Sequence, residues 1–249
     1  MSSTFRRQLR KELSTWWREQ RRNRNFAGAS VLLLKNLWSF ARESTPERRR
    51  RRYGDMEYDW EHRVNTTSGT VDWRSRLLGS FLSPYQPTEP ELFQEMMAAL
   101  PLEFERFTFV DLGSGKGRTL LMASEHPFRR IIGVELIADL HAAAEQNIRA
   151  YRSPTQKCAR IECVLADARH FELPPEALVL YLFNPLPEQA LAAVLSELEK
   201  SLAQSPRPVW IVDHNPASEQ LLSGSAKWKK ISGMPQYSIY STAIAVQTF

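Results

Sequence analysis

The chain has 249 residues, with 33 Lys+Arg against 28 Asp+Glu and only two cysteines. That length can bury one sizeable core and still leave an extension. Two cysteines exclude a disulfide framework and a cysteine-built zinc module, and they fit a reducing cytoplasm, where we expect the chain to work.

The net charge of +5 hides an asymmetry. Residues 1–52 hold 15 Lys+Arg against 4 Glu, a net of +11, whereas the remaining 197 hold 18 against 24, a net of −6. This extension contains Arg6-Arg7, Arg21-Arg22-x-Arg24 and the run Arg48 to Arg52, with Trp16-Trp17 and an apolar run, Ser30 to Ala41, between them. The run is too short, and too interrupted by Lys35, to span a bilayer. No small-residue cleavage site follows it, which argues against a secretory signal. Three readings remain. The helices cap a following domain with the arginines solvated; or they lie on an anionic membrane surface; or they grip nucleic acid or an acidic partner. We expect the first, with peripheral membrane attachment second. Trp16, Trp17, Leu32, Leu33, Leu34, Leu37, Trp38 and Phe40 are too many apolar side chains to expect in water.

Residues 53–88 read as a connecting, acceptor-side segment, and 89–249 as the main domain. Thr66-Thr67-Ser68-Gly69-Thr70-Val71-Asp72 suggests a loop able to close over a ligand, or equally an ordinary connecting loop.

The main domain alternates apolar runs with amphipathic stretches. Phe107 to Leu112 is a strand leading into Gly113-Ser114-Gly115-Lys116-Gly117, then a helix, then a strand from Ile131 to Val134 closed by Glu135. Asp139 to Ala150 reads as a helix capped by Asp139. Ile161 to Leu165, Leu178 to Phe183 and Val209 to Val212 read as strands, and Glu188 to Leu202 as a helix. Lys227 to Phe249 reads as two strands around Gly233-Met234-Pro235. This order predicts an α/β, doubly wound, mainly parallel sheet of seven strands with an N-terminal helical extension. Of the two cysteines, Cys163 is expected in the core and Cys158 in a loop.

The glycine spacing selects the ligand class. A dinucleotide fingerprint needs Gly at 118, where the chain has Arg118. A phosphate loop needs Gly at 110 and Ser or Thr at 117, where the chain has Val110 and Gly117. Glu135, about 20 residues on, can accept from two vicinal ribose hydroxyls and would repel a ribose phosphate. The site is therefore expected to take an unphosphorylated ribose.

Asp-x-Gly-x-Gly-x-Gly from Asp111 to Gly117 resembles the first motif of the class I S-adenosylmethionine-dependent methyltransferases. The nearest likeness is to bacterial members with a D-x-G-S-G-K-G-R loop, a G-V-E second strand and an Asn-Pro pair, here Asn184-Pro185. There is a fainter likeness to the Dot-type and mitochondrial-type protein lysine methyltransferases, through Tyr85-Gln86-Pro87-Thr88. The resemblance implies S-adenosyl-L-methionine as cofactor, held by Asp111, Gly113, Ser114, Gly115, Gly117, Glu135, Asp167 (at the adenine amino group) and Asn184. It implies Asn184 and Tyr85 on the catalytic side. Amino-directed nucleic-acid methyltransferases carry an aromatic residue where this chain has Pro187, so a base-stacking platform is missing. An amine acceptor, a protein lysine or a small molecule, is the expectation. No metal is expected, since His62, His126, His141, His170 and His214 lack ligand spacing. His214 follows a strand end where a general base could stand. The alternative is a non-catalytic nucleic-acid- or membrane-binding module on a vestigial methyltransferase fold.

Overall fold

The computed structural model describes residues 3–43, 56–67, 77, 85–184, 186–216 and 218–242. The arginine run 48–52, the loop from 68 to 72, Pro185 and the chain beyond 242 lie outside the described residues. The chain divides into two compact units, residues 1–57 with 67–86, and residues 58–66 with 87–249.

In the first unit, α1 (Ser3–Asn23) and α2 (Phe26–Glu43) are joined at Arg24-Asn25. The Asn25 side chain accepts from Gly28 N–H at 2.8 Å, which fixes the entry to α2. Trp16 and Ala29 are buried, and Trp17 meets Phe26 edge-on at 5.7 Å. The expectation that the apolar residues of α2 are packed away is corrected: Leu34, Leu37 and Trp38 are exposed. The reason is composition. With apolar residues over most of its circumference, α2 has more such surface than α1 can cover.

The second unit is a seven-stranded sheet in the order β3-β2-β1-β4-β5-β7-β6. Its strands are β1 (Thr108–Leu112), β2 (Arg130–Glu135), β3 (Ile161–Leu165), β4 (Leu178–Phe183), β5 (Val209–His214), β6 (Trp228–Met234) and β7 (Tyr237–Thr242). The first five are parallel; β7 enters antiparallel between β5 and β6. β1, β4 and β5 are covered on both faces, and so read as near-continuous apolar runs. The next helix in the chain is α3 (Met56–His62); one face of the sheet packs on Phe93, Met96 and Met97 of α4 (Pro90–Ala98) and on Leu120 and Met122 of α5 (Arg118–Ala123). The other packs on α7 (Glu188–Gln204), whose Leu191, Val194, Leu195, Leu198 and Leu202 recur at helical spacing.

Two local expectations fail. α6 (Ala138–Ala150) begins with Ile137 at the N-cap, and Asp139 lies inside the first turn, where it faces the positive end of the helix dipole instead of capping. Cys158 lies in a loop as expected but is buried in the core, whereas Cys163, expected in the core, is only partly covered because β3 is an edge strand.

Candidate active site at the strand ends

The parallel strands deliver Asp111, Glu135, Asp167, Asn184 and His214 to their carboxyl ends, the edge where ligands of open α/β sheets bind. Gly113, Gly115 and Gly117 all have positive φ, at 82°, 55° and 82°. Side chains at these φ values would be strained, and at Gly117 a Cβ would also stand 3.2 Å from Ala144 Cβ. The loop is tied back to β2 by Gly113 and Ser114 N–H, which both donate to Val134 O, at 2.8 and 3.1 Å. Gly133 makes that approach possible, since a Cβ there would stand 2.5 Å from Leu120 Cδ1 and 2.7 Å from Ser114 Oγ. The sequence reading noted Gly133 only as part of a motif; its role is close packing beneath the loop.

Glu135 is buried, and its two oxygens are oriented by backbone. Gly115 N–H donates to Oε2 at 2.8 Å and Ile137 N–H donates to Oε1 at 2.7 Å. Burial raises its pKa, and these amide bonds oppose the rise. A backbone bond from Leu136 adds to these two. Asp111 is buried beside Gly133 in register, and the Thr119 hydroxyl donates to it. Burial pushes its carboxyl up to about 7; the Thr119 bond opposes that, and the Glu135 charge adds to it.

Asp167 follows β3 and is only partly buried. Burial alone would raise its pKa, but Arg169 outweighs it through side-chain and backbone hydrogen bonds and its charge, leaving the carboxyl below its usual value. Asn184, just past β4, is half-buried with φ at +46°, a conformation Asn tolerates better than most residues. Tyr85 belongs to the other compact unit and is half-buried there.

Two networks escaped the sequence reading. The first runs along the α4 and α5 side of the sheet. Tyr181 OH meets Thr88 Oγ1 at 2.8 Å and His214 Nδ1 at 2.7 Å, and the His214 ring stacks on Phe183 at 3.8 Å. Burial lowers the His214 pKa to about 4, so the imidazole is neutral at physiological pH. Burial also raises Tyr181 well above its usual range, keeping it a neutral hydroxyl. The second network stitches residues 58–66 onto the glycine loop. Arg118 is 2% exposed and pairs with buried Asp59 at 3.2 Å. Its Nε donates to Thr66 Oγ1 at 2.6 Å, and its guanidinium lies 5.0 Å from the centre of the Tyr58 ring. Asp59 also accepts from Thr66 N–H at 2.7 Å. Asn147 Nδ2 donates both to Asn65 O and to Lys116 O, while Lys116 Nζ donates to Asn65 Oδ1 at 3.2 Å. Thr66, the first residue of the hydroxyl-rich segment, is locked in this clamp; residues 68–72 lie outside the described residues.

Among the described residues no group of His, Cys, Asp and Glu could hold a metal ion.

The strand order, with β7 antiparallel between β5 and β6, is the fold that the resemblance implies. Residues 80–159 match the family model described as "Histone methylation protein DOT1". Solved structures with a similar fold include an RNA methyltransferase from Salinibacter ruber in complex with S-adenosyl-L-homocysteine, at 20% identity and TM-score 0.43, covering 63% of this chain and 92% of that one. They also include precorrin-6y C5,15-methyltransferase from Geobacter metallireducens, at 13% identity and TM-score 0.44, covering 63% and 89%. A third is a SAM-dependent methyltransferase of Leishmania major, at 12% identity and TM-score 0.43, covering 61% and 70%. Comparison with curated proteins gave no match.

Proposed function

We infer that the chain is an S-adenosylmethionine-dependent methyltransferase acting on an amine, either a protein lysine or a small molecule. The observation that carries this reading is the bond from Gly115 N–H to Glu135. A phosphate loop keeps its amides open for an anion. Here a loop amide is already held by a buried carboxylate, and a second carboxyl, Asp111, lies close enough for its pKa to feel that charge. Such a concavity repels phosphate and suits a ligand with hydroxyls and positive charge.

S-adenosylmethionine supplies, when bound, a methyl group on a sulfonium that is already electrophilic. The protein's share is placement. Glu135 takes the ribose hydroxyls, and Asp167 takes the adenine amino group. The bare glycine backbone lets the ligand approach. Asn184, one strand over from β1, accepts from the acceptor amine and aims its lone pair. An amine can attack only when deprotonated, so the acceptor enters as the neutral amine; burial leaves His214 too weak a base to take that proton. The DOT1 family match is in keeping with a lysine, and Pro187 in place of an aromatic residue weighs against a stacked base.

The test is transfer of labelled methyl groups into a lysate of the source cell, with and without the full-length protein. Label is expected in a species that keeps it through mild alkali, as N-methyl groups do. Label wholly released by mild alkali would identify a carboxyl acceptor and contradict the amine assignment.

A further inference from the structure

The first unit carries two stripes that the proposed reaction does not use. On α2, Val31, Leu34 and Trp38 fall at spacings of three and four, and all are exposed; Leu34 is 65% and Trp38 72% accessible. Leu37, also exposed, widens the stripe on one side. Lys35 and Arg42, both exposed, border it on the other by helical spacing. On α1, Arg7, Arg10, Lys11, Arg18, Arg21 and Arg22 recur at the same period and are exposed, making one cationic face. The face of α1 that holds Glu12 and Trp16 is the buried one.

We propose that α1 and α2 form a membrane-surface anchor that seats the enzyme on anionic lipid, with the α2 stripe in the headgroup boundary. Charge decides the occupant. The arm carries +11 over residues 1–52, while the rest of the chain carries −6. An anionic surface therefore attracts the arm and repels the remainder, which orients the protein. A second copy is disfavoured, because pairing two such stripes would bring two +11 arms together. Nucleic acid would neutralise the arginines but offers no apolar medium for Val31, Leu34 and Trp38. Lipid suits both features: the apolar stripe enters the headgroup boundary, and the charge of the arm draws it to an anionic surface. Among the described residues no helix is long and apolar enough to cross a membrane, so the contact is lateral.

The experiment is vesicle sedimentation with the full-length protein. Vesicles of phosphatidylcholine alone are compared with vesicles containing phosphatidylglycerol, at low and at high salt. Binding is expected only with phosphatidylglycerol, weakening as salt rises. Leu34→Asp with Trp38→Asp should weaken it at least tenfold while leaving helix content by circular dichroism unchanged, since both side chains are exposed in the free chain. Arg18→Glu with Arg21→Glu and Arg22→Glu should weaken it similarly. Absence of vesicle binding by the unaltered protein would overturn the proposal. So would equal binding by the Asp variant, tighter binding to duplex nucleic acid than to the anionic vesicles, or a stable dimer that the Asp variant dissociates.

Discussion

Arg118→Met should lower the melting temperature by roughly 6–20 °C, the result of losing about 3–5 kcal/mol in a domain of this size. Met keeps much of the volume and removes the charge. What it leaves behind is Asp59, a carboxylate 7% exposed whose guanidinium partner at 3.2 Å is gone. The Thr66 N–H and hydroxyl still donate to it, but neutral donors do not replace a cation in a site shielded from water. Thr66 Oγ1 also loses the donor at 2.6 Å, and Tyr58 loses the cation over its ring. Asp59→Asn should cost a comparable amount from the other side, by leaving the Arg118 charge in place without this carboxylate. The double variant should cost less than the two singles combined, because removing both charges removes the need for either. Thermal unfolding of the four proteins measures this directly. Melting within about 2 °C of wild type for both single variants would remove the clamp from the account.

Asn184→Gly should reduce the methyl-transfer rate by about 10²–10³, as expected on removing one preorganised polar group. Glycine is the informative substitution because Asn184 sits at φ +46°. Alanine would add backbone strain of about 1–2 kcal/mol at that conformation and confuse stability with function. Glycine removes the side chain and keeps the turn. The loss should fall on kcat and kcat/KM together, since the bond matters when the amine attacks. Cofactor affinity should stay near wild type, because ribose and adenine are assigned to Glu135 and Asp167, on other strands. Wild-type turnover in Asn184→Gly would make Asn184 a turn residue only. His214, through its bond to Tyr181 at 2.7 Å, would then be the next side chain to test.

The sheet was legible in the sequence because its central strands are covered on both faces. Such strands must be apolar throughout, and β1, β4 and β5 therefore stood out. The closing antiparallel pair was legible, but its turn falls at Pro235-Gln236, and Gly233 and Met234 are the end of β6. Glu135 and the glycines were legible because their task depends on short-range spacing. The clamp was not. Asp59 and Arg118 are separated by 59 residues, and Asn65 and Asn147 by 82, so only the fold brings them together. As single letters they look like ordinary solvent-facing residues, and Arg118 stands in the sequence only as the letter that closes the loop motif. Thr88 and His214 are named there too, but their meeting through Tyr181 is not legible. The apolar run of α2 misled in the opposite direction. Its composition called for burial, but composition does not say whether a helix is covered within its own chain.

The central claim is that this strand-end site takes S-adenosylmethionine and not a phosphate-bearing nucleotide. Isothermal calorimetry with S-adenosylhomocysteine, NAD and ATP tests it without knowledge of the acceptor. S-adenosylhomocysteine should bind far more tightly than either nucleotide. Glu135→Ala should weaken it by about 1.5–3 kcal/mol, through loss of the charged acceptor for the ribose hydroxyls. NAD or ATP binding as tight as S-adenosylhomocysteine, or unchanged affinity in Glu135→Ala, would contradict the account.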